Sequence, residues 1–184
     1  MMKCYRDLRQ GPDRPSLCRY ESMITIRPAA PGDSEAIWSI LEPMIRAGDT
    51  YTRPNDLSRE GALAYWFAEG NQVFVAAEGN SILGTYYLRA NQRGGGSHVA
   101  NCGYVTAPAA RGRGVANHMC IHSLEVARKQ GFTAMQFNFV VSSNEGAVRL
   151  WRRHGFEIVG RLPRAFRHPK LGYTDAYVMY RELE

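Results

Sequence analysis

No stretch of about 18 apolar residues runs anywhere in the chain, which excludes a membrane-spanning helix. The first 22 residues also lack the apolar core of a secretory signal, so the expected location is cytoplasmic, with no membrane partner. Cysteine is scarce: Cys4, Cys18, Cys102 and Cys120 form none of the close pairs of a zinc site, and free thiols in a reducing compartment are expected. Charge of one sign is not concentrated either. The net +6 and the pI near 9.3 suit an anionic ligand but are too diffuse to argue for nucleic acid. No internal repeat or linker divides the 184 residues, and 45% of them are apolar, as in an ordinary globular domain.

What is present begins with an irregular segment. Residues 1–22 carry scattered Arg, Pro and Gly with no apolar period and are expected to be a flexible extension, with a single domain over 23–184. Met23 opens the alternating strand MITIRPA, and a helix follows over 31–48, with Ile37, Ile40, Leu41, Met44 and Ile45 at helical spacing and Asp33 or Ser34 as its cap. A polar, aromatic loop at 49–56 precedes a second helix that Gly70 ends. Residues 72–90 read as a hairpin turning at Glu78-Gly79-Asn80. Beyond a flexible loop at 93–97 come a strand (98–106), a helix (about 114–130), a strand (133–141), a helix (143–155), a strand (156–162), a basic loop (164–173) and a last strand. The order β-α-α-β-β-β-α-β-α-β-β predicts an α/β sandwich around a mixed sheet.

AARGRGVANHM, residues 109–119, raises the functional question. Gly112 and Gly114 follow a strand and open a helix, where backbone N–H groups converge on an anion, and Arg111 and Arg113 add positive charge. A P-loop needs a Lys-Ser or Lys-Thr that is absent, and a dinucleotide fingerprint needs a third glycine where Asn117 stands. Two readings remain for the stretch alone: a diphosphate cradle, or a sharp strand-to-helix turn.

The wider pattern narrows the choice. Arg111, Gly114 and Ala116 fill an Arg/Gln-x-x-Gly-x-Gly/Ala motif, and Asn144, Ala147, Leu150, Gly155 and Phe156 fill an Asn-x-x-Ala-x-x-Leu-Tyr-x-x-x-Gly-Phe motif about 30 residues later. In both, the chain resembles the GCN5-related N-acetyltransferases (GNAT). That resemblance implies a three-layer α/β sandwich with helices on both faces of a mixed, mostly antiparallel sheet, splayed between its fourth and fifth strands. It implies acetyl-CoA as cosubstrate and no metal. The pyrophosphate would lie on the N–H groups of Arg111, Gly112, Arg113, Gly114, Val115 and Ala116, with the pantetheine arm along Val105 and Thr106 and against Asn144. Asn144 has a second, compatible reading as a helix cap. The family often places a Tyr acid where this chain has Trp151, and a carboxylate base on a strand that here has none, so neither role transfers.

Two asparagines stand in mid-strand, where Asn is disfavoured: Asn101 and Asn138. Each is either a core amide bridging strands or a group facing the cleft; alternation places Asn101 with Gly103 and Val105, and Asn138 with Gln136 and Val140. Both strands and the Trp resemble the family's azetidine-2-carboxylate (proline-analogue) branch. That implies that the two asparagines bind the carboxylate or position the nitrogen of a small amine or imino acid. A peptide-directed acetyltransferase and a non-catalytic acyl-CoA-binding module are the alternatives, and a homodimer is plausible from the family. His118 and His122 share a helix face with Glu125 and Lys129 and find no third metal ligand, so they read as solvated. Tyr51 and Tyr65 either line the acceptor pocket or pack in the core, and the loop 164–170 is either solvated or a phosphate contact. Cys102 points to the face opposite Asn101, which argues against an acyl-cysteine intermediate.

Overall fold

The computed structural model describes residues 24–184. The expectations for the 1–22 extension, for Met23 and for Cys4 and Cys18 lie outside the described residues. Seven strands form one sheet: β1 (Thr25–Pro28), β2 (Gln72–Glu78), β3 (Ser81–Ala90), β4 (Val99–Thr106), β5 (Ala134–Val141), β6 (Glu157–His168) and β7 (Gly172–Glu182). Their order is β1-β2-β3-β4-β5-β7-β6, and only the β4–β5 pair is parallel. The helices are α1 (Ser34–Ala47), α2 (Arg59–Trp66), α3 (Val115–Lys129) and α4 (Glu145–Arg153).

Period-2 alternation sends the sheet's apolar residues to two separate cores, which makes three layers. Val73, Val75, Tyr87 and Val105 face α1 and α2, where Ile37, Ile40, Leu41 and Trp66 are buried. Their strand neighbours Phe74, Ala76, Tyr86 and Cys102 face α3 and α4, against Met119, Leu124, Leu150 and Trp151. A chain of polar groups inside the first of these cores is paired: Trp66 Nε1 donates to Thr85 Oγ1 at 3.0 Å, and that hydroxyl donates to the Phe74 carbonyl at 2.9 Å.

Asp33 takes the N-cap position of α1, yet its carboxylate does not cap the helix. It accepts from the Ala30 N–H at 2.7 Å and pairs with Arg27 at 2.6 Å, so the cap residue instead ties α1 back to the first strand. That pairing holds its carboxyl below the usual carboxylate range. The 93–97 loop contains a single 3-10 turn at Gly94–Gly96. The largest departure from the sequence reading is β6, which continues through the first half of the expected basic loop to His168. A register shift between Leu162 and Phe166 lets the strand continue, with Arg164 at φ 53°. Asp175 clamps the bulge, accepting from Arg161 Nε at 2.6 Å and from the Arg164 N–H at 2.8 Å.

Gly103 shows how closely the α1–α2 face is packed. It lies opposite Tyr87 on β3, and a Cβ there would stand 2.6 Å from Tyr87 Cε1. The ring cannot yield freely, because its hydroxyl meets Tyr65 Oη at 3.1 Å and its face packs edge-on against Trp66 at 5.0 Å. Gly103→Ala is expected to cost about 1–3 kcal/mol through overpacking. Urea denaturation checks this, and an unchanged midpoint would show that Tyr87 moves without penalty.

Candidate active site

The sheet comes apart where the sequence reading expected it to. β4 and β5 pair only at Val99–Ala134 and Ala100–Met135, and then diverge. The residue after the last pair is Asn101, whose Nδ2 donates to the Gln136 carbonyl at 2.8 Å. A side-chain amide thus replaces the ladder bond at the point of parting. Beyond it the β5-facing edge of β4 is open, and a cleft of about 690 Å³ occupies the gap, within the usual range for small-molecule sites.

Asn101, Val105, Thr106, Arg111, Ala116 and Asn144 all border this cleft, as do Asn138 and Trp151. Gly112, Arg113, Gly114 and Val115 form the turn at its end rather than its wall. Both glycines take positive φ, 78° at Gly112 and 79° at Gly114. That conformation turns the chain sharply into α3, and Gly114 is the helix N-cap with no side chain to satisfy the first turn. Arg111 and Arg113 donate their N–H groups within the turn, to Pro108 and Ala110 at 3.3 and 3.4 Å. Among the described residues, the N–H groups of Gly112, Gly114, Val115 and Ala116 have no acceptor. The guanidinium of Arg113 turns to Glu78 at 2.6 Å, so of the two arginines only Arg111 presents its side chain to the cleft.

The cap reading of Asn144 is seen directly. Its Oδ1 accepts from the Ala147 N–H at 3.3 Å and caps α4, while the residue also borders the cleft. Trp151 is buried, with its ring 4.9 Å from those of both Tyr104 and Phe137. Tyr104 is not a free acid, since its hydroxyl meets Ser123 Oγ at 2.7 Å and burial raises its pKa well above the usual value.

The two asparagines share the cleft but differ in state. Asn101 is almost fully buried and has spent one donor on β5, leaving its Oδ1 to the cleft. Asn138 is exposed, and its position departs from simple alternation. The β5–β7 register slips by one residue between Phe137 and Val140, so Asn138 lies in a bulge. Its Oδ1 accepts from Gln136 Nε2 at 2.7 Å, and its Nδ2 donates to Asn91 Oδ1 at 2.6 Å. Asn101 therefore bridges the two strands and also borders the cleft, whereas Asn138 borders the cleft as an exposed amide and is not the core bridge that the sequence reading allowed.

Tyr51, Tyr65 and Tyr87 line the far end, and Tyr51 Oη donates to the Tyr104 carbonyl at 3.2 Å. Burial holds the phenols of Tyr51 and Tyr87 protonated, as hydrogen-bond donors. The Cys102 thiol, which borders the cleft, is pushed up to about 12 by burial and stays neutral. Arg89, Asp49 and His168 also border the cleft, and the sequence reading had singled out none of them as an individual site residue. Arg89 stands in register opposite Asn101. Asp49 is a carboxylate on the loop after α1, the type of group that β4 lacks. His168 arrives because β6 extends, and its Nδ1 accepts from the N–H groups of Lys170 and Leu171. Arg89 had a legible signal, since a charge on a β-rich strand needs a reason. Asp49 and His168 had none, because only tertiary packing carries them to the site. No group of three or more His, Cys, Asp or Glu that could hold a metal, and no helix long and apolar enough to cross a membrane, lies among the described residues.

Comparison with known proteins agrees with this arrangement. The acetyltransferase (GNAT) family matches residues 36–156. N-acetyltransferase aca1 of Schizosaccharomyces pombe is 34% identical over 151 residues, covering 73% of this chain and 72% of that protein. The structure of a GCN5-related N-acetyltransferase from Kribbella flavida superposes with a TM-score of 0.83 at 36% identity, over 87% of this chain and 98% of that one. A phosphinothricin acetyltransferase from Sinorhizobium meliloti, solved in complex with acetyl-CoA, shares the fold at a TM-score of 0.76 and 23% identity, covering 87% and 88% of the two chains. With the splayed sheet, the glycine turn and both motifs in place, the chain belongs to the GNAT family of N-acetyltransferases.

Proposed function

We propose that the protein transfers acetyl from acetyl-CoA to the nitrogen of a small amine or imino acid. The observation that carries this reading is the parting of β4 from β5 beside a turn in which the N–H groups of Gly112, Gly114, Val115 and Ala116 lack acceptors among the described residues. A diphosphate fits such a turn, because unpartnered N–H groups and the positive end of α3 both attract anions. Gly112, Gly114, Val115 and Ala116 supply the donors and Arg111 a nearby charge. An extended pantetheine arm suits the open edge at Val105 and Thr106, where main-chain donors and acceptors face the gap. Asn144 offers the arm a side-chain amide from the opposite wall. The Sinorhizobium relative, determined with acetyl-CoA bound on this fold, supports the assignment.

The reaction needs a neutral nitrogen that attacks the thioester carbonyl. The carbon–sulfur bond breaks, acetyl stays on nitrogen, and the proton shed by nitrogen passes to the departing thiolate, directly or through water. No side-chain acid need be assumed, which suits a site that carries Trp151 in the position where a phenol is common. Asn101 gives a geometric reason to favour a small acceptor. Its Nδ2 must face the Gln136 carbonyl, since an acceptor there requires a donor, and this fixes Oδ1 as the atom left for a ligand. A free carbonyl oxygen accepts from an N–H, and so suits the reacting nitrogen better than a carboxylate. Asn138, held between Gln136 and Asn91, supports the wall nearby.

Free CoA release from acetyl-CoA, measured against proline, azetidine-2-carboxylate, other amino acids, polyamines and peptides, tests the reading. The expected outcome is turnover of a small amine or imino acid that falls about 10-fold or more in Asn101→Ala, with CoA affinity unchanged. CoA binding with no turnover of any amine would instead mark a binding module, and turnover confined to peptides would move the acceptor class.

A further inference from the structure

We propose that Arg89 is the anchor for a carboxylate on the acceptor, so that the site selects amino or imino acids over simple amines. The proposal rests on the acetyl-transfer reading and names the substrate class of the same cleft.

Arg89 differs from the ion-paired arginines among the described residues. Arg27, Arg46, Arg59, Arg113, Arg149 and Arg161 each have a carboxylate partner. Arg89 has no ion pair and no hydrogen bond among the described residues, although it is half-buried and its Nε is fully buried without an acceptor. Its one defined contact is with the Tyr87 ring, 5.6 Å from the guanidinium carbon. The two terminal guanidinium nitrogens are not fully buried and also have no partner among the described residues, so they are the donors open to a ligand in the cleft. The guanidinium fork is shaped for one partner above others, a planar oxyanion held by two parallel hydrogen bonds.

Position decides which anion that is. Arg89 and Asn101 are directly opposed on β3 and β4, so their side chains share one face of the sheet. Both border the cleft where the strands part. The glycine turn lies beyond Thr106, five residues further along β4, or about 17 Å at strand spacing. A phosphate seated on that turn cannot also reach Arg89, which leaves the guanidinium to a second anion at the acceptor end. Asn101 presents an acceptor oxygen there and Arg89 presents donors. A molecule that carries an N–H and a carboxylate on adjacent atoms satisfies both, with the N–H on Asn101 Oδ1 and the carboxylate on Arg89. The fold places this pair on neighbouring strands, which suits the short separation within an α-amino or α-imino acid.

The test compares each acid with its own carboxamide, which keeps the amine and removes the charge. Calorimetric titration of the full chain with CoA bound, using azetidine-2-carboxylate, proline and prolinamide as probes, reads binding apart from turnover. Wild-type protein is expected to prefer the acids. Arg89→Met, which keeps the apolar stem over Tyr87, is expected to weaken the acids by roughly 10- to 100-fold and leave prolinamide unchanged. CoA affinity stays constant and reports that the variant is folded, and Arg89→Lys recovers part of the loss. Turnover should show the same pattern as a rise in KM for the acids. A wild-type complex that binds acid and carboxamide alike or binds neither, or an Arg89→Met variant that retains the preference for acids, overturns the proposal. Loss of turnover with every amine while acid binding still depends on Arg89 would instead overturn the acetyl-transfer reading.

Discussion

Gly114→Asp is expected to leave the protein folded and to weaken CoA binding by at least about 100-fold. A Cβ at this position meets only the His118 ring, at 3.7 Å, so the cost of the substitution is the backbone strain of a side chain at positive φ rather than a clash. The positive φ of 79° is tolerated by Asp better than by most residues, and position 114 is the N-cap of α3, where Asp is among the preferred residues. Folding therefore survives, and the defect is chemical. The new carboxylate accepts the N–H groups of the first turn and adds negative charge where the diphosphate is proposed to sit. Each lost charge-assisted hydrogen bond is worth about 1.5–3 kcal/mol, and two suffice for the stated effect. Gly114→Ala separates charge from conformation, because it leaves the N–H groups free, and a loss below about 10-fold is expected. Calorimetry with CoA reads both variants. A folded Gly114→Asp protein with ordinary CoA affinity would remove the phosphate assignment from this turn.

Trp151→Ala is expected to cost about 3–5 kcal/mol of stability, as truncation of a buried indole does. For a chain of this size that corresponds to a fall in Tm of roughly 6–20 °C. The ring packs between Tyr104 and Phe137 and approaches Phe156 as well, so its loss opens a cavity in the core beneath the cleft. Trp151→Phe keeps an aromatic face against both neighbours, and a cost below about 1.5 kcal/mol is expected. Thermal or urea denaturation distinguishes the two. Equal stability of Trp151→Ala and wild type would contradict the packing role. The physical point concerns how this position is used: where related chains often carry a phenol, this one carries a core ring, and the wall of the cleft is built from it.

Element type and order were legible because each helix and strand carries its own period. Ile37, Ile40, Leu41 and Ile45 mark the buried stripe of α1 before any coordinates are known, and Gly131 follows the end of α3. The glycine turn was legible for a related reason, since a positive φ at Gly112 and Gly114 is a local demand that only a few residue types meet. Asn101 and Asn138 were flagged as amides out of place, yet the alternatives of bridge and ligand group could not be resolved. One amide can bridge to a carbonyl and still border the cleft, and the sequence does not show where a neighbouring carbonyl lies. Alternation through Asn138 failed at the β5 bulge, which is set by pairing with β7 rather than by β5 itself. The same holds for β6, whose basic and proline-containing run reads as a loop until Asp175 clamps it against β7.

By itself, the sequence determined the periodic elements, the glycine turn and the family motifs, because these depend on backbone preferences and on residues close together in the chain. Tertiary structure alone decided how the cleft is furnished. It set the residue at which β4 leaves β5, the side of the cleft on which the Asn101 amide stands, and the guanidinium of Arg89 across from it, which has no partner among the described residues. Those features depend on the register between strands 12 to 35 residues apart, and register is fixed by packing on both faces of the sheet rather than by any one segment.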